Sequence, residues 1–215
     1  MTALSRRALL AGAAALCLAS ARLAAAAPAD ARAPEAVVGD FHADLLAVMK
    51  AARELSVKDR YGRLEPALAR TFNAAAMTQI VSGRYWRDAD AAAQARAAAA
   101  FHRFSTATYA VQFDGFSGQA FETLANRPGP QDTALVVTRI AKDGATEADL
   151  TYVLKRAGEA AGGGTPPWRV IDVLLDNSIS QLAVRRSEYR QTLKKGGLDA
   201  LATELNAAAD RLLAG

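Results

Sequence analysis

The chain has 215 residues, 51% hydrophobic and 22% charged, with one Cys and a formal charge of +4. That length suits a single domain with a real core, and one Cys excludes a disulfide scaffold. Leu, Val, Ile and Phe recur from residue 37 onward, which excludes a disordered chain, and no apolar run of spanning length follows the N-terminus, which excludes a polytopic membrane protein.

Ser5-Arg6-Arg7 directly precedes the apolar stretch Ala8 to Leu18, and small residues follow. Basic, then apolar, then small is the layout of an export signal, so residues 1–27 are expected to be a signal peptide and 28–215 one domain. The arginine pair resembles a twin-arginine signal. Leu9 stands where such signals often have Phe, which keeps the general secretory route open. Cleavage is expected within Ala24–Ala27 or after Ala31, since Pro28 disfavours a cut just before it. An uncleaved anchor is the alternative, opposed by Arg22 and by the short, Ala-rich interior. Cys17 follows Leu16 rather than a small residue, so it reads as part of the signal and not as a lipidation site. The mature chain then has no thiol chemistry. Taking Arg6, Arg7 and Arg22 from the formal +4 leaves +1. The pI near 9.4 therefore belongs mostly to the signal, and no nucleic-acid partner is expected. The expected location is the periplasm.

In the mature chain, Val37, Val38, Phe41, Leu45, Val48 and Met49 repeat at helical spacing and predict a helix over 35–55. A second helical stretch covers 64–82, with Pro66 in its first turn. Asp88 is a candidate N-cap for a long Ala-rich helix reaching Tyr109 or beyond, with Ala97, Phe101, Phe104 and Thr108 along its buried stripe. Asp114-Gly115 and Ser117-Gly118 then signal a turn.

From there the period becomes strand-like. Four strands are expected at 121–124, 134–140, 149–156 and 168–175. Their turn signals lie at Pro128-Gly129-Pro130, at Lys142-Asp143-Gly144 and in the Gly-rich loop 157–167. Connections this short require antiparallel pairing. Helices at 187–195 and 198–213, broken at Gly196-Gly197, close the chain. The predicted fold is α+β: a strongly curved four-stranded antiparallel sheet covered by N- and C-terminal helices, an arrangement that can enclose an apolar cavity.

Chemical motifs are sparse. His42 and His102 have no second His or Cys at ligand spacing, so no metal is expected, and both read as structural or surface groups. No Gly-x-Ser-x-Gly occurs. Gly162-Gly163-Gly164 lacks the Lys-Ser/Thr of a phosphate loop. Asp172 lies inside the otherwise apolar strand Trp168–Leu175. It could be a proton-transfer base facing a cavity, in an isomerase-like enzyme. It could equally pair with Arg185 or Arg186, or accept backbone hydrogen bonds as an anchor. Leu135, Val137, Tyr152, Leu154, Val170, Val173 and Leu175 suit either a solid core or the wall of an acyl-chain cavity.

Tyr152-Val153-Leu154-Lys155-Arg156, Trp168 to Val173, Asp176-Asn177-Ser178-Ile179-Ser180 and Arg186-Ser187-Glu188-Tyr189 resemble the ordered motifs of the MlaC family of periplasmic phospholipid-binding, toluene-tolerance proteins. Gly197-Leu198-Asp199-Ala200-Leu201 and the segment Phe101–Ala110 extend the resemblance over most of the mature chain. Arg60 to Ala67 and Leu182 to Tyr189 are closer still to the hopanoid-biosynthesis-associated HpnM branch. Asn177 departs from the Gly usual in the family, although Asn tolerates the same left-handed backbone. The loop 157–167 is also longer than the family's.

The resemblance implies a carrier, not an enzyme, with phospholipid or hopanoid as cargo and no cofactor. It also implies two partners: an inner-membrane lipid transport complex and an outer-membrane lipoprotein/porin complex. The cavity candidates on this reading are Phe104, Tyr109, Leu135, Val137, Tyr152, Leu154, Val170, Val173, Leu175 and Ile179. A headgroup left in water keeps its hydration, so weak headgroup discrimination is expected.

Overall fold

The computed structural model describes residues 32–158 and 165–215. The expected signal peptide and the middle of the 157–167 loop lie outside the described residues. Helix α1 (Pro34–Ala51) opens on a proline, whose missing N–H costs nothing in a first turn. After a 3-10 turn at Ala52–Glu54, α2 (Val57–Thr71) starts at Ser56. The Ser56 hydroxyl accepts from the Asp59 amide while the Asp59 carboxylate accepts from the Ser56 amide.

The single helix expected over 64–82 is in fact two, because the backbone is extended at Phe72–Asn73. Phe72 forms an isolated bridge with Val170 of the sheet, and the Asn73 side chain caps α3 (Ala74–Ser82). The hydrophobic period runs straight across this break, so only Asn73 signalled it.

A one-turn helix α4 (Arg84–Arg87) ends on Asp88. The N-cap of α5 (Ala91–Gln112) is consequently Asp90, whose carboxylate accepts from the Ala93 amide, and not Asp88 as the sequence suggested.

Among the described residues the sheet has five strands rather than four: β1 (Ala120–Pro128), β2 (Thr133–Lys142), β3 (Ala145–Arg156), β4 (Trp168–Leu175) and β5 (Ile179–Ser180). They run in that spatial order, all antiparallel, in an open sheet. β5 is two residues long, too short to show a period. It folds back on Leu174 and Leu175 through Asp176 and Asn177, both at positive φ. The turn thus survives with Asn in place of Gly. Register shifts at Leu124 in β1, at Glu147 in β3 opposite Ile140 and Ala141, and at Ile171 in β4 bend the strands.

Helix α6 (Gln181–Glu188) starts six residues before the helix expected at 187, capped by the Ser180 hydroxyl. Then α7 (Arg190–Ala214) kinks at Gly196-Gly197, with Gly197 at φ +60. Among the described residues, no helix is long and apolar enough to cross a membrane.

Two separate apolar clusters result. One joins α1 and α2 to the sheet through Phe41, Leu45, Leu64, Leu68, Val136 and Leu154. The other joins α3, α5, α6 and α7 through Val81, Ala97, Phe101, Leu182, Leu201 and Leu205. Phe72 packs against both.

Candidate functional site

Where the two clusters meet, an apolar pocket of about 300 Å³ remains between the helices and one face of the sheet. It is open to the outside rather than sealed. The parity of the strands decides which residues reach it. Val136, Thr138 and Ile140 of β2 pair with Tyr152, Leu150 and Ala148 of β3, and Tyr152 and Leu150 pair with Val173 and Leu175 of β4. These side chains share the helix-covered face. From the helices come Leu68, Phe72, Met77 and the α5 stripe Phe101, Phe104, Thr108, Tyr109 and Gln112.

The pocket follows α5 from Phe101 to Gln112, about 16 Å at the helical rise. Its inner end is made of the buried Leu68, Met77 and Phe101, and its outer end of the exposed Gln112 and Leu175. Beside the outer end, Phe104, Thr108, Gln112 and Arg185 also line a groove that Val111, Arg211 and Leu212 complete. The Arg185 guanidinium stands over the Phe104 ring at 5.0 Å and pairs with Glu188 at 3.1 Å.

Five of the ten expected wall residues line this pocket: Phe104, Tyr109, Tyr152, Val173 and Leu175. The other five lie elsewhere. Leu135 and Val137 alternate with Val136 and so project from the opposite face of the sheet. Leu154 and Val170 are fully buried in the core against α1 and α2. Ile179 is 49% exposed on β5. Leu68, Phe72, Met77, Phe113, Ile140 and Leu150 were not singled out for the wall. Leu150 shares the parity of Tyr152 and could have been found from it, Ile140 shares the face through the β2–β3 register, and Leu68, Phe72, Met77 and Phe113 reach the pocket only through tertiary packing.

The polar groups are placed just as specifically. His42 Nε2 lies 3.0 Å from the Tyr152 hydroxyl, and its ring stacks on Phe121 with centroids 4.5 Å apart. Burial lowers its pKa to about 4, so it is a neutral core group. Burial also pushes the phenols of Tyr109 and Tyr152 up, leaving both protonated at neutral pH. His102 sits 3.2 Å from Glu65.

Asp172 reaches the pocket wall, but its carboxylate is occupied. One oxygen accepts from the Val173 and Leu182 amides, and the other accepts from the Ser180 hydroxyl at 2.5 Å. Of the readings open to it from the sequence, this is the anchor that ties the start of α6 to β4. Arg185 is engaged by Glu188 instead. No cluster of His, Cys, Asp or Glu suited to a metal occurs among the described residues.

Residues 40–207 match the family model described as MlaC protein. The chain belongs to the MlaC family. A solved structure of a phospholipid-binding protein from Ralstonia solanacearum, in complex with a phospholipid, has the same fold. The TM-score is 0.68 at 19% identity, covering 84% of this chain and 99% of that one. No curated protein matches the chain.

Proposed function

We propose that this MlaC-family chain is a non-catalytic lipid carrier of the periplasm, shuttling phospholipid between an inner-membrane transporter and the outer membrane. A hopanoid is the cargo if the likeness to the HpnM branch carries function with it. Family membership and a neighbour described with bound phospholipid support lipid binding. The observation that carries the reading is the open apolar pocket lined by Phe72, Phe101, Phe104, Tyr152 and Val173.

The physical need is large. A two-chain lipid has on the order of 30 methylenes, each costing about 0.8 kcal/mol to expose to water. Crossing an aqueous compartment alone is therefore prohibitive, whereas transfer from bilayer to protein exchanges one apolar shelter for another. Direction then comes from the partners at either end.

Mass spectrometry of protein isolated from its own cell envelope tests this. Stoichiometric copurifying lipid is expected, and repeated lipid-free preparations would overturn the reading. A charge at the pocket, Val173→Asp, should abolish loading while the circular dichroism spectrum stays that of the folded protein.

A further inference from the structure

Two tyrosine hydroxyls belong to the pocket region, and they are treated differently. That of Tyr152 is satisfied by His42. No described residue hydrogen-bonds that of Tyr109. Nor is it a sealed, orphaned core atom like the Tyr189 hydroxyl; it opens on the pocket that Tyr109 lines. The ring itself is held firmly, stacked on Phe113 at 5.5 Å and edge-on to Phe41 and Phe72 at 5.6 and 5.9 Å. Desolvation keeps the phenol protonated, so it is a fixed donor in apolar surroundings. A tyrosine hydroxyl facing an apolar pocket loses its water when hydrocarbon fills the pocket, and then needs a partner.

The position of Tyr109 indicates what that partner is. It lies on α5 one turn inside Gln112, at the outer end, and two turns from Phe101, at the inner end. A chain filling the inner end with its headgroup in water brings the junction between hydrocarbon and headgroup to the level of Tyr109. In an acyl lipid that junction is an ester carbonyl, an acceptor needing one donor.

We infer that the Tyr109 hydroxyl donates a hydrogen bond to an ester carbonyl of the cargo, so that the pocket selects ester-linked over ether-linked chains of equal length. The inference rests on the lipid-binding reading above and adds a specificity-determining residue to it. Because the contact is to the linkage and not to the headgroup, it leaves headgroup discrimination weak.

The test loads delipidated full-length protein from vesicles holding equal amounts of diacyl and dialkyl phosphatidylcholine with the same chains, and reads the bound ratio by mass spectrometry. The wild type should enrich the ester form about fivefold or more, the effect of leaving a buried hydrogen-bonding group unmatched. In Tyr109→Phe, which keeps the ring and its stacking, the ratio should fall to that of the vesicles. Arg127→Gln, far off on β1, is the control and should keep the wild-type ratio. A wild-type ratio of one, or an undiminished ratio in Tyr109→Phe, overturns the inference and leaves the carrier reading standing; the hydroxyl then meets only water. Failure of the wild type to take up either lipid overturns the phospholipid-carrier reading, and this inference with it. A second measurement does not depend on the variant's folding. Infrared spectra of wild type loaded with carbonyl-labelled ester lipid should show one carbonyl band at lower frequency than in dry alkane, and a single unshifted band counts against the contact.

Discussion

His42 makes folding sensitive to pH in a defined direction. Its pKa of about 4 in the folded chain lies below the ordinary 6.5 or so of an unfolded histidine. As pH falls through 6.5 the unfolded chain takes up a proton that the folded chain refuses until about pH 4. Stability is therefore complete above 6.5 and is lost between 6.5 and 4, by on the order of 3 kcal/mol. Urea unfolding across that range checks it: His42→Gln should give a flatter profile than the wild type by that amount. Asp172 is a second case. Asp172→Asn weakens the anchor of α6 and should destabilise by about 1–3 kcal/mol, measured as a shift in urea midpoint. Residue types revealed much less than residue surroundings at both positions. A histidine in an apolar stripe reads as structural from sequence, but its tyrosine partner lies 110 residues away. Asp172 offered several roles until Ser180 and Leu182 were seen to occupy it.

Elements were legible where their period was long. The 18-residue α1, the 22-residue α5 and strands β2 to β4 show their repeat plainly and appear near their expected positions. Short pieces were not: α4 and β5 span about one period each, too little for a repeat to show, and missing them displaced the α5 cap by two residues and the strand count by one. The break at Phe72–Asn73 is a tertiary decision, made because Phe72 bridges to the sheet. The Gly196-Gly197 break was legible because the chemistry is local. Gly197 has φ +60 and ψ −145, a conformation essentially confined to glycine. Gly197→Ala should cost about 1–3 kcal/mol, seen as a lower thermal midpoint, although no neighbouring atom obstructs the added methyl.

For the molecule as a whole, the decisive feature is that the pocket lies between two cores and not inside one. Composition could not reveal this, since a solid core and a hollow one use the same residues, and half of the expected wall residues belong to packed core, to the opposite sheet face or to the surface. The pocket's 300 Å³ is at the lower limit for small-molecule sites, roughly 300–1,000 Å³, and a two-chain lipid is larger than most such ligands. Loading should therefore widen the seam between the clusters, which touch mainly at Phe72, without breaking into either. Small-angle scattering should show a larger radius of gyration with lipid than without; an unchanged radius would mean that the cargo fits the existing space.

The outermost strand, β1, has a consequence of its own. Among the described residues no strand pairs with its outer margin, and an open margin of nine residues is a template on which another copy could assemble. This one is interrupted at Leu124, charged at Glu122 and Arg127, and finished by Pro128, which has no amide hydrogen to donate. Fibril growth by strand addition is thereby frustrated at its first step, and concentrated solutions should stay clear for as long as those side chains remain.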